Sequence, residues 1–110
     1  MNIQIFGTKK CNETRKAERY FKERRILYHF RDLNEKGISK GELENIRRVF
    51  DLEDLFDKEG KEYRKRNLQY MTFNIEEELL NDALLFRTPI VRNGKEVTIG
   101  YQPEIWKNWD

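Results

Sequence analysis

The sequence predicts an α/β fold in which a βαβ unit and a ββα unit flank a helical middle section, and three observations carry that expectation. Residues 2–6 alternate polar and apolar like a strand, and helical apolar spacing follows after a short loop. Residues 39–86 keep a helical periodicity. Near the C-terminal end Asn93-Gly94 lies between two strand-like runs, the strongest short-range hairpin signal.

In chain order, a strand over Asn2–Phe6 leads through Gly7-Thr8-Lys9-Lys10 to a helix beginning near Asn12. Ala17, Tyr20, Phe21 and the stem of Arg24 share one face of that helix at three- and four-residue spacing. A second strand, Leu27 to Asp32, follows a tight connection. Ser39-Lys40-Gly41-Glu42 has the form of a capping box, and Leu43, Ile46, Val49 and Phe50 continue it at helical spacing. Leu52, Leu55 and Phe56 suggest a helical turn, Glu59-Gly60 a break, and Tyr63 to Leu68 a further short helix. A last helix, Asn74 to Leu85, turns Ile75, Leu79, Leu80, Ala83 and Leu84 inward. Pro89 to Arg92 and Lys95 to Gly100 form the hairpin, with positive φ expected at both Asn93 and Gly94. Pro103 opens a terminal helix anchored by Ile105, Trp106 and Trp109. This order matches the thioredoxin-like architecture, a four-stranded mixed sheet, with residues 1–110 as a single domain and residues 39–86 as a helical insertion within it.

Composition narrows the function. The chain of 110 residues is 37% hydrophobic and 38% charged, so the core must be thin, and seven Phe, five Tyr and two Trp must supply much of its buried area. Twenty-two Lys and Arg interleave with twenty Asp and Glu, which excludes a dedicated polyanion binder; no direct nucleic-acid partner is expected. The N-terminal alternation lacks the apolar run of a signal peptide or membrane span, so a cytoplasmic protein without membrane association is expected. One cysteine and one histidine exclude an internal disulfide and a structural zinc site. No metal and no bound cofactor are therefore expected, the chain is expected to act as a monomer, and redox chemistry would need an external thiol.

The candidate site is Cys11-Asn12-Glu13-Thr14-Arg15, where a strand hands over to a helix. A thiol there meets unpaired N–H groups and the positive end of the helix dipole, which favour thiolate. Lys9, Lys10 and Arg15 add positive charge and Glu13 opposes it. A drop of about two units from about 8.5 converts a thiol that is a few per cent ionised at neutral pH into one that is mostly thiolate. A lone cysteine is often a small buried hydrophobe, but the polar neighbours Lys10 and Asn12 argue against a core position. Arg15 could hold the thiolate or a substrate anion, or be an exposed helix arginine; Thr14 could donate to the sulfur or serve in the first turn as a cap. His29 is read as a half-buried structural histidine and Arg64-Lys65-Arg66 as a solvated face. Thr88-Pro89 could be an ordinary strand entry.

Three blocks, Phe6 to Ala17 around Cys11, Gly37 to Leu43, and Arg87 to Val91 continuing through Gly100 to Glu104, together resemble the ArsC-type arsenate reductase family, which includes the Spx-type transcription regulators. The resemblance implies a thioredoxin-like fold with a helical insertion, a nucleophilic Cys11, and a cis-proline at Pro89 facing it. It implies a small thiol or oxyanion substrate bound near Lys10, Asn12, Thr88 and Pro89, glutathione or another small thiol as co-substrate, and, on the Spx side, a possible protein partner such as RNA polymerase. Two departures stand out. Thr14 occupies the place of the second cysteine of Spx-type regulators, and the places of the family's oxyanion-holding arginines fall on Asp57, Thr88 and Tyr101. A tetrahedral dianion needs several converging donors, and Arg15 with the helix-start amides supplies few, which tells against efficient arsenate reduction.

Overall fold

Alternation at the N-terminus produces β1, Ile3–Gly7, because Ile3 and Ile5 fall on one face of the strand and are buried there. The computed structural model describes residues 1–109, which divide into two compact units, residues 1–35 with 88 onward and residues 36–87.

The first unit holds the whole sheet. β1 is central, parallel to β2 (Tyr28–Asp32) and antiparallel to β3 (Ile90–Asn93), which pairs antiparallel with β4 (Glu96–Ile99) in the order β2-β1-β3-β4. This is the four-stranded mixed sheet of a thioredoxin-like α/β fold. Helix α1 (Asn12–Glu23) lays Ala17, Tyr20 and Phe21 against Ile3, Ile5 and Val91, joined by Trp106 and Trp109 from the C-terminal segment that includes α6 (Pro103–Trp106). The rings of Tyr20, Phe21 and Trp106 meet with centroids 5.0 to 5.2 Å apart, and burying each contributes roughly 1.5–3 kcal/mol. Trp106 Nε1 donates to the buried Thr98 Oγ1 at 2.8 Å, so the indole enters the core with its polar group satisfied.

Helix α1 stops in a Schellman arrangement: Ile26 N donates to Phe21 O at 2.9 Å and Arg25 N to Lys22 O at 3.0 Å, with Arg25 at φ 59° where glycine is usual. Leu27, expected in the second strand, is 91% exposed and lies in the connection; pairing with β1 begins at Tyr28. His29 is exposed rather than half-buried, since β2 is an edge strand and His29 alternates outward. The hairpin turn sits one residue later than expected. Asn93 pairs with Glu96, leaving Gly94 and Lys95 as the loop with positive φ only at Gly94, the requirement of a type II′ connection. Ile105 is exposed, so of the three expected anchors Trp106 and Trp109 are the ones buried.

The second unit, residues 36–87, is helical. The capping box starts α2 (Lys40–Ile46): Glu42 N donates to Ser39 Oγ at 3.1 Å and Ser39 N to Glu42 Oε1 at 2.9 Å. Val49 is exposed, because α2 gives way to turns after Ile46. Then come α3 (Leu52–Leu55), α4 (Lys61–Lys65), a 3₁₀ turn Leu68–Tyr70 and α5 (Ile75–Asn81). The expected helix from Asn74 to Leu85 is broken at Asp82, whose Oδ1 accepts from Leu84 N at 3.1 Å and starts a separate 3₁₀ turn, Ala83–Leu85. The break shifts the helical phase, so Leu85 is fully buried and Leu84, expected to point inward, is exposed. Arg66, expected on a solvated face, instead bonds Glu78 at 2.6 Å and Asp82 at 3.1 Å.

Candidate active site

Cys11 forms the junction of the β1 loop and α1. Its N donates to Thr8 O and its carbonyl accepts from Arg15 N, both at 3.1 Å, so the residue is fixed on both sides as the N-cap in extended conformation. The side chain is half-buried. Thr88 Oγ1 donates to Sγ at 3.2 Å, and Sγ lies 3.8 Å from Thr88 O. Thr88 precedes a cis peptide bond to the buried Pro89, whose carbonyl accepts from Gly100 N at 2.7 Å.

Burial alone would raise the Cys11 pKa, yet the thiol is held below its ordinary value by the hydroxyls of Thr14 and Thr88 and by the backbone amides of Thr14 and Glu13. Neither amide completes a capping hydrogen bond onto the sulfur, so both act as oriented dipoles at the helix start. Thr14 Oγ1 is buried and has no hydrogen-bond partner among the described residues. Because it lowers the thiol pKa, that hydroxyl interacts more favourably with the thiolate than with the thiol. Gly7 makes its position possible: a Cβ there would stand 2.7 Å from Thr14 Cγ2 and nearer still to the hydroxyl.

The expected site residues therefore separate into two groups. Cys11, Thr14 and Thr88 come together, with Pro89 next in the chain. Lys10, Asn12 and Arg15 are exposed, and the Arg15 guanidinium is bonded to Asn12 Oδ1 on the surface of the first turn. The leading contributions to thiol acidity are hydroxyls and amides rather than the cations expected from the sequence. Glu13 has a role that spacing does not reveal. Its Oε1 accepts from Tyr101 N at 3.2 Å and would lie 3.3 Å from a Cβ at Gly100, tying the β4–α6 connection to the first turn of α1. A glycine at 100, with φ 84°, is the one sequence signal of that approach.

A model of the ArsC family matches residues 6–109. The chain belongs to the ArsC family. The uncharacterised protein YusI of Bacillus subtilis is 28% identical over 99% of both chains. The global transcriptional regulator Spx 2 of Oceanobacillus iheyensis is 27% identical over 94% of this chain and 80% of its own. An arsenate reductase of Vibrio cholerae shares the fold, with a TM-score of 0.78 and 18% identity over 96% of this chain and 94% of that one. In this ArsC-family chain Thr88 turns its hydroxyl to the sulfur, Tyr101 offers its amide to Glu13, and Asp57 accepts from Glu59 N at 3.1 Å. None of the described helices is long and apolar enough to cross a membrane.

Proposed function

We propose that the protein is an arsenate reductase-like thiol oxidoreductase with Cys11 as its single nucleophile. The observation that carries this reading is the half-buried Sγ at the start of a 12-residue helix, with the hydroxyls of Thr14 and Thr88 favouring its ionised form. On a disulfide R–S–S–R′, the thiolate forms a bond to one sulfur as the S–S bond breaks, and the electron pair leaves on R′S⁻, which is protonated by water. Glutathione or another small thiol then attacks the mixed disulfide, takes R as a new disulfide and returns Cys11 as thiolate. Lys10, Asn12 and Arg15 would meet the substrate from the rim, Thr88 and Pro89 from the wall. Hydroxyl and amide donors suit a sulfur electrophile better than a tetrahedral dianion, which calls for converging cations. A cytoplasmic monomer, one domain with residues 39–86 inserted, completes the reading.

The test is the rate of Cys11 alkylation by iodoacetamide against pH, together with glutathione-dependent turnover of a small mixed disulfide. An inflection below the free-cysteine value of about 8.5, and turnover lost in Cys11→Ser, are the expected results. An inflection at or above that value overturns the reading.

A second reading, an Spx-like redox-sensing adaptor that docks on a partner such as RNA polymerase, is supported by the similarity to Spx 2. Thr14 in place of a second cysteine leaves it without an internal disulfide switch. Recovery of a stable complex with polymerase in a redox-dependent manner would favour it over the enzyme.

A further inference from the structure

The outward side of α1 carries a feature the thiol chemistry does not use. Lys16, Arg19, Tyr20, Glu23, Arg24 and Tyr101 line an open groove of about 380 Å³ within the first unit. Arg19 also borders an adjoining depression of about 280 Å³ on the same helix. Among the described residues Lys16, Arg19 and Arg24 form no ion pair, whereas Arg47, Lys58, Arg66 and Lys107 do. Two of the three groove cations are nevertheless held in place. The Arg24 guanidinium lies 3.7 Å from the Tyr20 ring centroid and donates to Tyr20 O at 3.2 Å, and Lys16 Nζ lies 5.9 Å from the Tyr101 centroid. A ring face positions a cation without neutralising it, so the charge stays available to a ligand.

We propose that this groove binds an acidic, extended peptide segment of a partner protein, with alternate carboxylates on Lys16 and Arg19 and a third on Arg24. The spacing fits: helix residues three apart are about 5–6 Å from each other, close to the roughly 6.6 Å between alternate side chains of an extended strand. From Lys16 to Arg24 the helix rises about 12 Å, the span of three to four extended residues. Glu23 sets the class of ligand. Because Glu23 lines the groove, a ligand charged at every unit, as a phosphate backbone is, meets repulsion there, whereas a peptide can bring a main-chain N–H to that carboxylate and carry its own carboxylates at other positions.

The test is fluorescence anisotropy of a short labelled Glu-rich peptide against the full chain, at about 0.05 M and about 0.5 M salt, with a Lys-rich peptide and single-stranded oligothymidylate as comparison ligands. Saturable binding of the acidic peptide, weakened at least about tenfold by salt and about tenfold by either Arg19→Glu or Lys16→Glu, is expected. Arg19→Gln, which keeps helix propensity, should give a smaller loss in the same direction. The pH profile of Cys11 alkylation should not change in these variants, which separates the groove from the thiol chemistry. The proposal is overturned if the acidic peptide does not bind, if binding survives both charge reversals, or if oligothymidylate binds as tightly.

Discussion

Thr14→Val exchanges a hydroxyl for a methyl with almost no change of shape, at a position that is fully buried against Gly7. Two free energies then move in opposite directions. A hydrogen bond to a charged acceptor is worth about 1.5–3 kcal/mol, or about one to two pKa units at about 1.36 kcal/mol each, so the inflection of Cys11 alkylation should rise by about one unit or more. In the thiol form the same hydroxyl has no partner among the described residues, and an unsatisfied buried hydroxyl costs about 1–3 kcal/mol. At a pH where the sulfur is protonated, the valine protein should thus equal the parent in stability or exceed it by about 1 kcal/mol. The pH dependence follows from the lowered thiol pKa. A group whose folded pKa is depressed contributes stability that is fully present above its unfolded pKa and is lost as pH falls through the folded value. Thr14→Val shrinks that contribution, so its advantage should disappear on the alkaline side. Iodoacetamide rates across pH, with urea unfolding at about pH 5 and about pH 9, measure both effects. An unchanged inflection, or a loss of more than about 1 kcal/mol in acid, would refute the account of Thr14 as a donor held for the thiolate.

Gly7→Ala should destabilise the chain by about 1–3 kcal/mol in urea unfolding and raise the alkylation inflection, because the new methyl must displace Thr14 from its seat. Arg25→Gly should stabilise by up to about 1 kcal/mol, read in the same assay, since the residue sits at φ 59° in a position where a side chain is strained. Glu62→Gln should stabilise at neutral pH: contact with Asp82, followed by burial, raises the Glu62 pKa, so whatever stability this group contributes is present below its unfolded pKa and lost as pH rises through the folded value. Unfolding midpoints of the two proteins should accordingly converge in acid.

Most of the fold was legible because its signals are local. The Ser39 to Glu42 box, Pro103 at a first turn and the Ala17-Tyr20-Phe21 face each require only neighbours in sequence to act, and each appears in the structure. The misplacements come where a side chain competes with the backbone or with tertiary pairing. Asp82 captures the Leu84 amide and is itself bonded by Arg66, sixteen residues away, so a continuous apolar period ends in two short elements. Asn93 is drawn into the strand by its pairing with Glu96, which moves the turn onto Gly94 and Lys95.

At the candidate site, sequence position placed the sulfur at the helix start and named Thr14 and Thr88 as candidates near it, but it gave the leading part to cations. The charges nearest in sequence, Lys10 and Arg15, are long side chains that gain more from water than from a half-buried thiol, and Arg15 settles on Asn12. The groups that reach the sulfur are short and neutral, and one of them, Thr88, is 77 residues distant and brought in by the strand that follows it. This difference bears on chemistry. In the proposed chemistry a thiolate balanced by hydroxyls and amides keeps its full negative charge beside few local cations, a poor receptor for a dianion at close range. The same environment is well matched to a disulfide, whose attack disperses that charge over three sulfurs and asks for no cationic clamp.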